Sequence, residues 1–263
     1  MEEKKPFKIV SSKKTRYILP NILTLVGVCL GISSIKFSLD QNYGFAVIFL
    51  LFAALLDGLD GRIARLIGGT SEFGKELDSL TDFVSFGIAP AFVLYFWELK
   101  NYGKIGWAII LIFAVCCVLR LARFNLTKTS EDEQWRLNFF EGVPSPAGAG
   151  LILLPLIYEL SNFSLNFEVK KLTPYLVVVV AVLLISKIPT FSFKKISIQR
   201  KLTIFLLLGI GLIFVSLVFF TFEALLIMGI IYLLLIPVSF IFYQKKIRQS
   251  KKLSSEDEHE DVL

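Results

Sequence analysis

Eight apolar runs, each bounded by bunched charges, dominate this 263-residue chain and leave it few folds to choose from. They lie at about Leu19 to Ser38, Tyr43 to Leu66, Phe73 to Trp97, Ile105 to Leu126, Pro144 to Tyr158, Leu172 to Ile188, Leu202 to Phe220 and Phe222 to Phe242. A helix needs about 20 apolar residues to cross a hydrocarbon core, and only the fifth run is short enough to tilt or to enter from a loop. Composition agrees, with 55% hydrophobic residues, 19% charged residues and a mean hydropathy of +0.69. That is more apolar side chain than one water-soluble domain of this size can bury, so a soluble globular enzyme is excluded. The expected fold class is all-α, a polytopic membrane bundle of about eight transmembrane helices. The first run starts late, is long and lacks an Ala-x-Ala-like cleavage site, which argues against a signal peptide. Cys29, Cys116 and Cys117 fall inside apolar runs and read as small buried hydrophobes, not as a disulfide framework.

The basic residues orient the chain. Of its 28 Lys and Arg, 23 fall in the alternate connections that share a side with both termini. By the positive-inside rule both termini face the cytoplasm, and the protein is expected in the cytoplasmic (inner) membrane. The net charge of +6 is then a signal of topology and of contact with anionic membrane lipids, with no nucleic-acid partner needed to explain it. Ser254 to Leu263 holds five acids and the only histidine, His259, and reads as a solvated, disordered end. Chemistry within the membrane must therefore manage without imidazole. No repeat of 20 to 50 residues and no Pro, Gly or Ser-rich linker divides the chain.

Ionisable residues inside membrane helices are costly, so each needs a partner or a task. Here they cluster. Asp57, Asp60, Gly61, Ala64, Arg65 and Gly68 recur at i, i+3, i+4, i+7, i+8 and i+11 at the end of the second span. They form one face of carboxylates, a guanidinium and very small residues. Ser71, Gly74, Asp78, Asp82 and Ser85 do the same at the start of the third. Folding back at Gly68 and Gly69 sets Asp57 and Asp60 opposite Asp78 and Asp82. Two unit charges about 4 Å apart repel by about 4 kcal/mol at an effective dielectric of 20, and four acids contain several such pairs. Bound cations are the simplest remedy. All-oxygen ligation without His or Cys points to a hard ion, Mg²⁺ or Mn²⁺, and four acids suffice to bracket two divalent ions per site. Gly58 and Gly61 remove side chains beside the acids and leave room for a bulky phosphate ligand. The competing structural reading is a pore lining or a salt-bridge network in which Asp57 pairs with Arg62 or Arg65.

At these positions the sequence closely resembles the CDP-alcohol phosphotransferase family. The matching signature is Asp57, Asp60, Gly61, Ala64 and Arg65, eight residues, Gly74, three residues, Asp78, three residues and Asp82. The resemblance implies that family's membrane fold, with two divalent metals at the cytoplasmic boundary, and transfer of a phosphate-linked group from a CDP-activated donor to an alcohol. It implies Asp57, Asp60, Asp78 and Asp82 as metal ligands, with Asp82 also the base that takes the acceptor's hydroxyl proton. It places Gly58, Gly61, Arg65, Ser71 and Gly74 around the CDP group, with Arg65 as a forked clamp on the diphosphate. Asn21 and Thr24, after Pro20, sit where related proteins approach the nucleotide. A helix start with a local cap explains them equally well.

Three further stretches resemble the phosphatidylserine synthase subfamily: Leu119 to Asn125, Gly142 to Ala147 and Ser186 to Ser192. The implied substrates are CDP-diacylglycerol and L-serine. Arg120, Arg123 and Lys187 are candidates for the serine carboxylate, and Asn125, Glu141 or Ser145 for its orientation; the alternative is that the cations anchor helix ends among lipid headgroups. The resulting organisation is a basic cytoplasmic segment at 1–17, a catalytic membrane domain at 18–200, two additional helices at 201–243 and a charged cytoplasmic tail at 244–263. The last two helices are expected to support the bundle or to form a homodimer face. The nearest rivals are a sister enzyme with another acceptor, glycerol 3-phosphate or inositol phosphate, or with an ether-lipid (CDP-archaeol) donor. An ion transporter fits poorly, because transporter sites lie near the bilayer midplane within inverted repeats.

Overall fold

A computed structural model of the chain describes residues 13–68, 71–126, 139–163, 168–191 and 203–260. Gly69, half of the expected turn, lies outside them. Helices make up nearly all of the described chain, in the order α1 (Lys13–Leu39), α2 (Tyr43–Leu66), α3 (Glu72–Asp82), α4 (Ala89–Trp97), α5 (Gly103–Leu126), α6 (Ser145–Leu160), α7 (Val169–Ile185), α8 (Thr203–Phe219) and α9 (Thr221–Glu260). A π-helical turn, Phe83–Ile88, joins α3 to α4 in one continuous rod, so eight rods stand where eight apolar runs are read. Among the described residues, five segments are long and apolar enough to cross a membrane: Ile18–Leu39, Tyr43–Leu66, Glu72–Trp97, Leu99–Leu126 and Thr221–Lys246. The protein is a multi-pass membrane protein. Helices α6 and α8 are apolar but only 16 and 17 residues long. The 17 residues of α7 open with Lys170 and Lys171 and so carry a shorter apolar stretch.

The chain separates into two compact units, Met1–Leu121 and Ala122–Leu263, and the boundary falls inside α5, not in a linker. In the first unit, α1 packs along α2 and also along α3, the π turn and α4. Its packing face carries Thr24, Gly27, Gly31, Ser34 and Ser38, all buried. Small residues let helices approach closely in lipid, where hydrophobic drive between helices is absent. The approach is tight at Gly31, where a Cβ would stand 2.9 Å from Ser85 Oγ. Polar side chains stitch this unit as well: Ser85 Oγ of the π turn donates to Gly27 O of α1 at 3.3 Å, and Tyr43 Oη of α2 donates to Phe96 O of α4 at 3.1 Å.

In the second unit a short antiparallel ladder pairs β1 (Phe139–Glu141) with β2 (Pro189–Phe191), in the register Phe140 opposite Thr190. This ladder ties the start of α6 to the end of α7. Helix α6 packs on α7 and α9, and α9 on α8 and β2.

Three expectations need correction. Pro20 and Asn21 do not start a helix; they lie inside α1, which already begins at Lys13. Cys29 is exposed on α1, while Cys116 and Cys117 are buried as expected. The acidic end is not irregular: α9 runs unbroken through Glu260. Helix propagation onto an existing helix escapes the nucleation cost, and residues 238–260 contain neither Gly nor Pro to stop it.

Candidate active site

The acids sit where the two rods of the first unit turn into each other. Asp57 and Asp60 occupy the last three turns of α2, and Asp78 and Asp82 successive turns of α3. Between them α2 ends at Leu66 and Gly68 adopts φ +63, the left-handed conformation that glycine takes most readily. Ser71 then caps α3: its backbone is extended and its Oγ accepts from Gly74 N at 3.0 Å.

Asp57, Asp60 and Asp78 each present a carboxylate oxygen within 4.8 Å of the others. Asp60 is buried, Asp57 half-buried and Asp78 exposed, so the cluster runs from the packed face of α2 out to its rim. Asp82, one turn further along α3, lies outside this trio but within hydrogen-bonding reach of Asp57. Its Oδ1 is buried and accepts no hydrogen bond. Two carboxyl groups in such contact need a shared proton or a positive charge between or beside them. Arg120 of α5 supplies part of it, being buried and electrostatically within reach of Asp82. That makes Arg120 a partner of the acid cluster rather than only a candidate for a substrate carboxylate. Among the described residues no ion pair joins Asp57 to Arg62 or Arg65, so the structure does not support the salt-bridge reading there.

A divalent cation fits this donor set. Three converging carboxylates, an orphaned buried oxygen on a fourth, and no nitrogen or sulfur ligand describe a hard-ion site. The glycines beside it agree. Glycine in a helix interior costs about 0.5–1 kcal/mol relative to alanine, and packing offers no reason for it here. A Cβ on Gly58 or Gly61 would meet nothing within 4 Å. The space beside both glycines is open. Arg65 is exposed on the same helix end, its Nε donating to Gly61 O at 3.0 Å. Gly74 differs: a Cβ there would stand 3.1 Å from Ser71 Oγ and 3.3 Å from Asn21 Oδ1, so it brings α1 and the α3 cap together. Thr24 Oγ1 donates to Asp60 Oδ2 at 2.7 Å.

Comparison with known proteins gives the family of the chain. The family model for CDP-alcohol phosphatidyltransferase matches residues 17–244. The chain belongs to the CDP-alcohol phosphatidyltransferase family. It is 36% identical over 239 residues to a Helicobacter pylori protein named CDP-diacylglycerol--serine O-phosphatidyltransferase, covering 91% of this chain and 98% of that one. A Mycobacterium leprae protein of the same name is 46% identical over 144 residues, 53% of this chain and 48% of that one. A Methanothermobacter thermautotrophicus protein named archaetidylserine synthase is 34% identical over 180 residues, 67% of this chain and 71% of that one. CDP-alcohol phosphatidyltransferases are transferases that generally depend on divalent metal, which the trio of aspartates accommodates.

Of the three stretches read as acceptor signatures, the parts in the second unit, 122–125, 142–147 and 186–191, come together there, while Arg120 belongs to the first unit and Ser192 lies outside the described residues. Arg123 donates from Nη1 to Ile185 O at 2.7 Å and from Nη2 to Ser186 O at 3.2 Å, capping the C-terminus of α7. Gly142 N donates to Ile188 O at 2.9 Å, and Thr190 Oγ1 donates to Gly142 O at 2.7 Å. Ser145 is buried at the start of α6, Asn125 and Glu141 are exposed, and Lys187 is exposed between α7 and β2. Sequence reasoning places Thr190 and Gly142 inside the acceptor stretches but assigns neither the Thr190 hydrogen bond nor the conformation of Gly142, whose φ is +75. The signal for Gly142 was its place before Val-Pro; nothing local marked Thr190, because its partner is 48 residues away.

Proposed function

We propose that this protein is a phosphatidylserine synthase: it transfers the phosphatidyl group of CDP-diacylglycerol to the hydroxyl of L-serine, releasing CMP. The observation that carries this reading is the convergence of Asp57, Asp60 and Asp78, with Asp82 beside them, at the positions of the family signature. The similarity to the Helicobacter pylori protein along nearly the whole chain supports the choice of donor and acceptor.

Asp57, Asp60, Asp78 and Asp82 would hold two divalent ions, Mg²⁺ or Mn²⁺. Bound there, such ions supply Lewis-acid stabilisation of the charge that builds on the diphosphate as CMP leaves. The chain's own residues do the rest. Arg65 offers forked donors to the diphosphate at the exposed end of α2. Gly58 and Gly61 let the nucleotide approach the helix backbone. Asp82 accepts the serine hydroxyl proton as the new O–P bond forms and the P–O bond to CMP breaks. A carboxylate suits that task when held against other acids, as Asp82 is held against Asp57. Arg120 helps to fix Asp82, while Arg123, Asn125, Ser145 and Lys187 remain the candidates for the serine zwitterion. The catalytic end of α2 and α3 faces the cytoplasm of the inner membrane, where the donor reaches it sideways from the leaflet with its tails in hydrocarbon. The protein works as a homodimer.

CMP release from CDP-diacylglycerol by the purified protein is the test, run with L-serine, glycerol 3-phosphate, inositol phosphate and no acceptor. Release with serine and Mn²⁺ or Mg²⁺ alone supports the reading, and release with another acceptor moves the protein to a sister activity. A second donor arm is warranted by the similarity to archaetidylserine synthase: equal turnover of CDP-archaeol means that the site reads the CDP head and not the chain linkage.

A further inference from the structure

We infer that Thr24 is a positioning residue for the metal site, fixing the carboxylate of Asp60 from α1, and not a contact to the CDP donor. The inference rests on the metal-dependent reading above and assigns one of its parts. Thr24 is 6% exposed, and its hydroxyl carries one hydrogen with two acceptors in range. Asp60 Oδ2 lies at 2.7 Å and Pro20 O at 3.0 Å. The charged acceptor at the shorter distance takes the hydrogen, because charge-assisted bonds are roughly twice as strong as neutral ones. A donor phosphate needs a hydrogen too. Thr24 has none to spare without stripping Asp60, which is 4% exposed and has no solvent to replace the bond. The hydroxyl thus fixes one oxygen of Asp60 and leaves the remaining lone pairs for a cation, the arrangement by which outer groups orient ligating carboxylates.

Thr24 is itself held in place. One turn along α1, Gly27 O accepts from Ser85 Oγ at 3.3 Å, and the space for a Cβ on Gly27 is bounded by Thr81 Cγ2 at 3.7 Å. One turn in the other direction, Asn21 Oδ1 meets the backbone at Gly74. Helix α1 therefore touches the Asp60-bearing helix through Thr24 and the Asp78-bearing helix through Asn21 and Gly27. It sets the separation of the two pairs of acids, and the Thr24 hydroxyl is its hydrogen bond to the acid cluster.

The test titrates Mn²⁺ alone into full-length protein in detergent, following free Mn²⁺ by electron paramagnetic resonance, for wild type, Asp60→Asn, Thr24→Val and Thr24→Ser. Thr24→Val is expected to weaken Mn²⁺ binding by about 10- to 100-fold, with Thr24→Ser within about threefold of wild type because it keeps the hydroxyl. In the CMP-release assay Thr24→Val should recover turnover at raised Mn²⁺ with the serine KM unchanged. If Val at this position blocks folding, Thr24→Ala removes the same hydroxyl without a methyl against Asp60 and is read in the same way. Unaltered Mn²⁺ affinity in Thr24→Val overturns the inference, most directly if metal-free binding of CDP falls instead. Wild type that takes up no Mn²⁺, or Asp60→Asn that binds it normally, overturns the metal reading itself and is thereby distinguished.

Discussion

At the scale of single residues, the four aspartates were legible because ligand spacing and helix periodicity coincide: positions three and four apart share a face in α2 and again in α3. Their chemistry sets the first prediction. Asp82→Asn keeps the size and hydrogen-bonding capacity of the side chain but removes its basicity, so turnover should fall by about 10²- to 10⁴-fold. Binding of CDP-diacylglycerol should survive. CMP release and equilibrium binding of the donor separate the two effects, and full activity in the variant removes Asp82 as the base. Gly61 gives a second prediction of opposite structural sign. Since no protein atom lies within 4 Å of its absent side chain, Gly61→Ala should hold or raise stability by up to about 1 kcal/mol. Donor KM should nevertheless rise, because the methyl intrudes on ligand space. A fall in the thermal midpoint would instead mark Gly61 as a packing glycine. What the sequence concealed at this scale was partnership. Thr24 and Asp60 are 36 residues apart and Arg123 and Ser186 are 63 apart, so neither bond leaves a local pattern.

Elements show the same division between local signal and distant cause. The eight apolar runs became eight rods because each run is long enough to nucleate and bury a helix by itself. The π turn at Phe83–Ile88 left no such mark: it adds a residue to the turn beside Asp82 and aims Ser85 at Gly27 of α1, a requirement set by the neighbouring helix. Composition alone does not show the continuation of α9, because the helix that precedes the acidic end supplies its nucleus. Two glycines test this scale. Gly31→Ala places a Cβ 2.9 Å from Ser85 Oγ and 3.1 Å from Ser85 Cα. The backbone there cannot move aside, so a loss of about 1–3 kcal/mol is expected, unlike Gly61→Ala. Gly142→Ala forces an L side chain to φ +75 with its Cβ 2.8 Å from Ser186 O. The left-handed conformation alone costs about 1–2 kcal/mol, so unfolding in graded denaturing detergent should shift clearly toward lower concentrations. Arg123→Ala should destabilise the same clasp by removing two charge-assisted bonds, each worth about 1.5–3 kcal/mol. If Arg123 also reads the acceptor, serine KM rises more in this variant than in Gly142→Ala at matched stability.

For the whole molecule, orientation is carried by where the cations lie and not by any contact among helices. The loops that share a side with the termini hold 23 of the 28 Lys and Arg, and by the positive-inside rule this asymmetry supports the proposed cytoplasmic placement of that side. On that proposal the aspartates at the ends of α2 and α3 lie on the side where a nucleotide-activated lipid presents its head. Single cysteines decide it. Asn101, exposed between α4 and α5, falls in a connection of the poorly basic side, and Ser255 falls in the tail. With a membrane-impermeant maleimide on intact cells whose outer envelope is made permeable, Asn101→Cys should label and Ser255→Cys should not; inverted vesicles should reverse the pattern. The native thiols stay silent in both, since the thiolate is the nucleophile and Cys29, Cys116 and Cys117 all lie within apolar helices. Labelling of Ser255→Cys from outside would turn the molecule over and leave the acid cluster facing away from its donor. A bundle with the right carboxylate geometry would then be unable to perform the transfer, because the side of the membrane is as much a part of this site as its oxygens are.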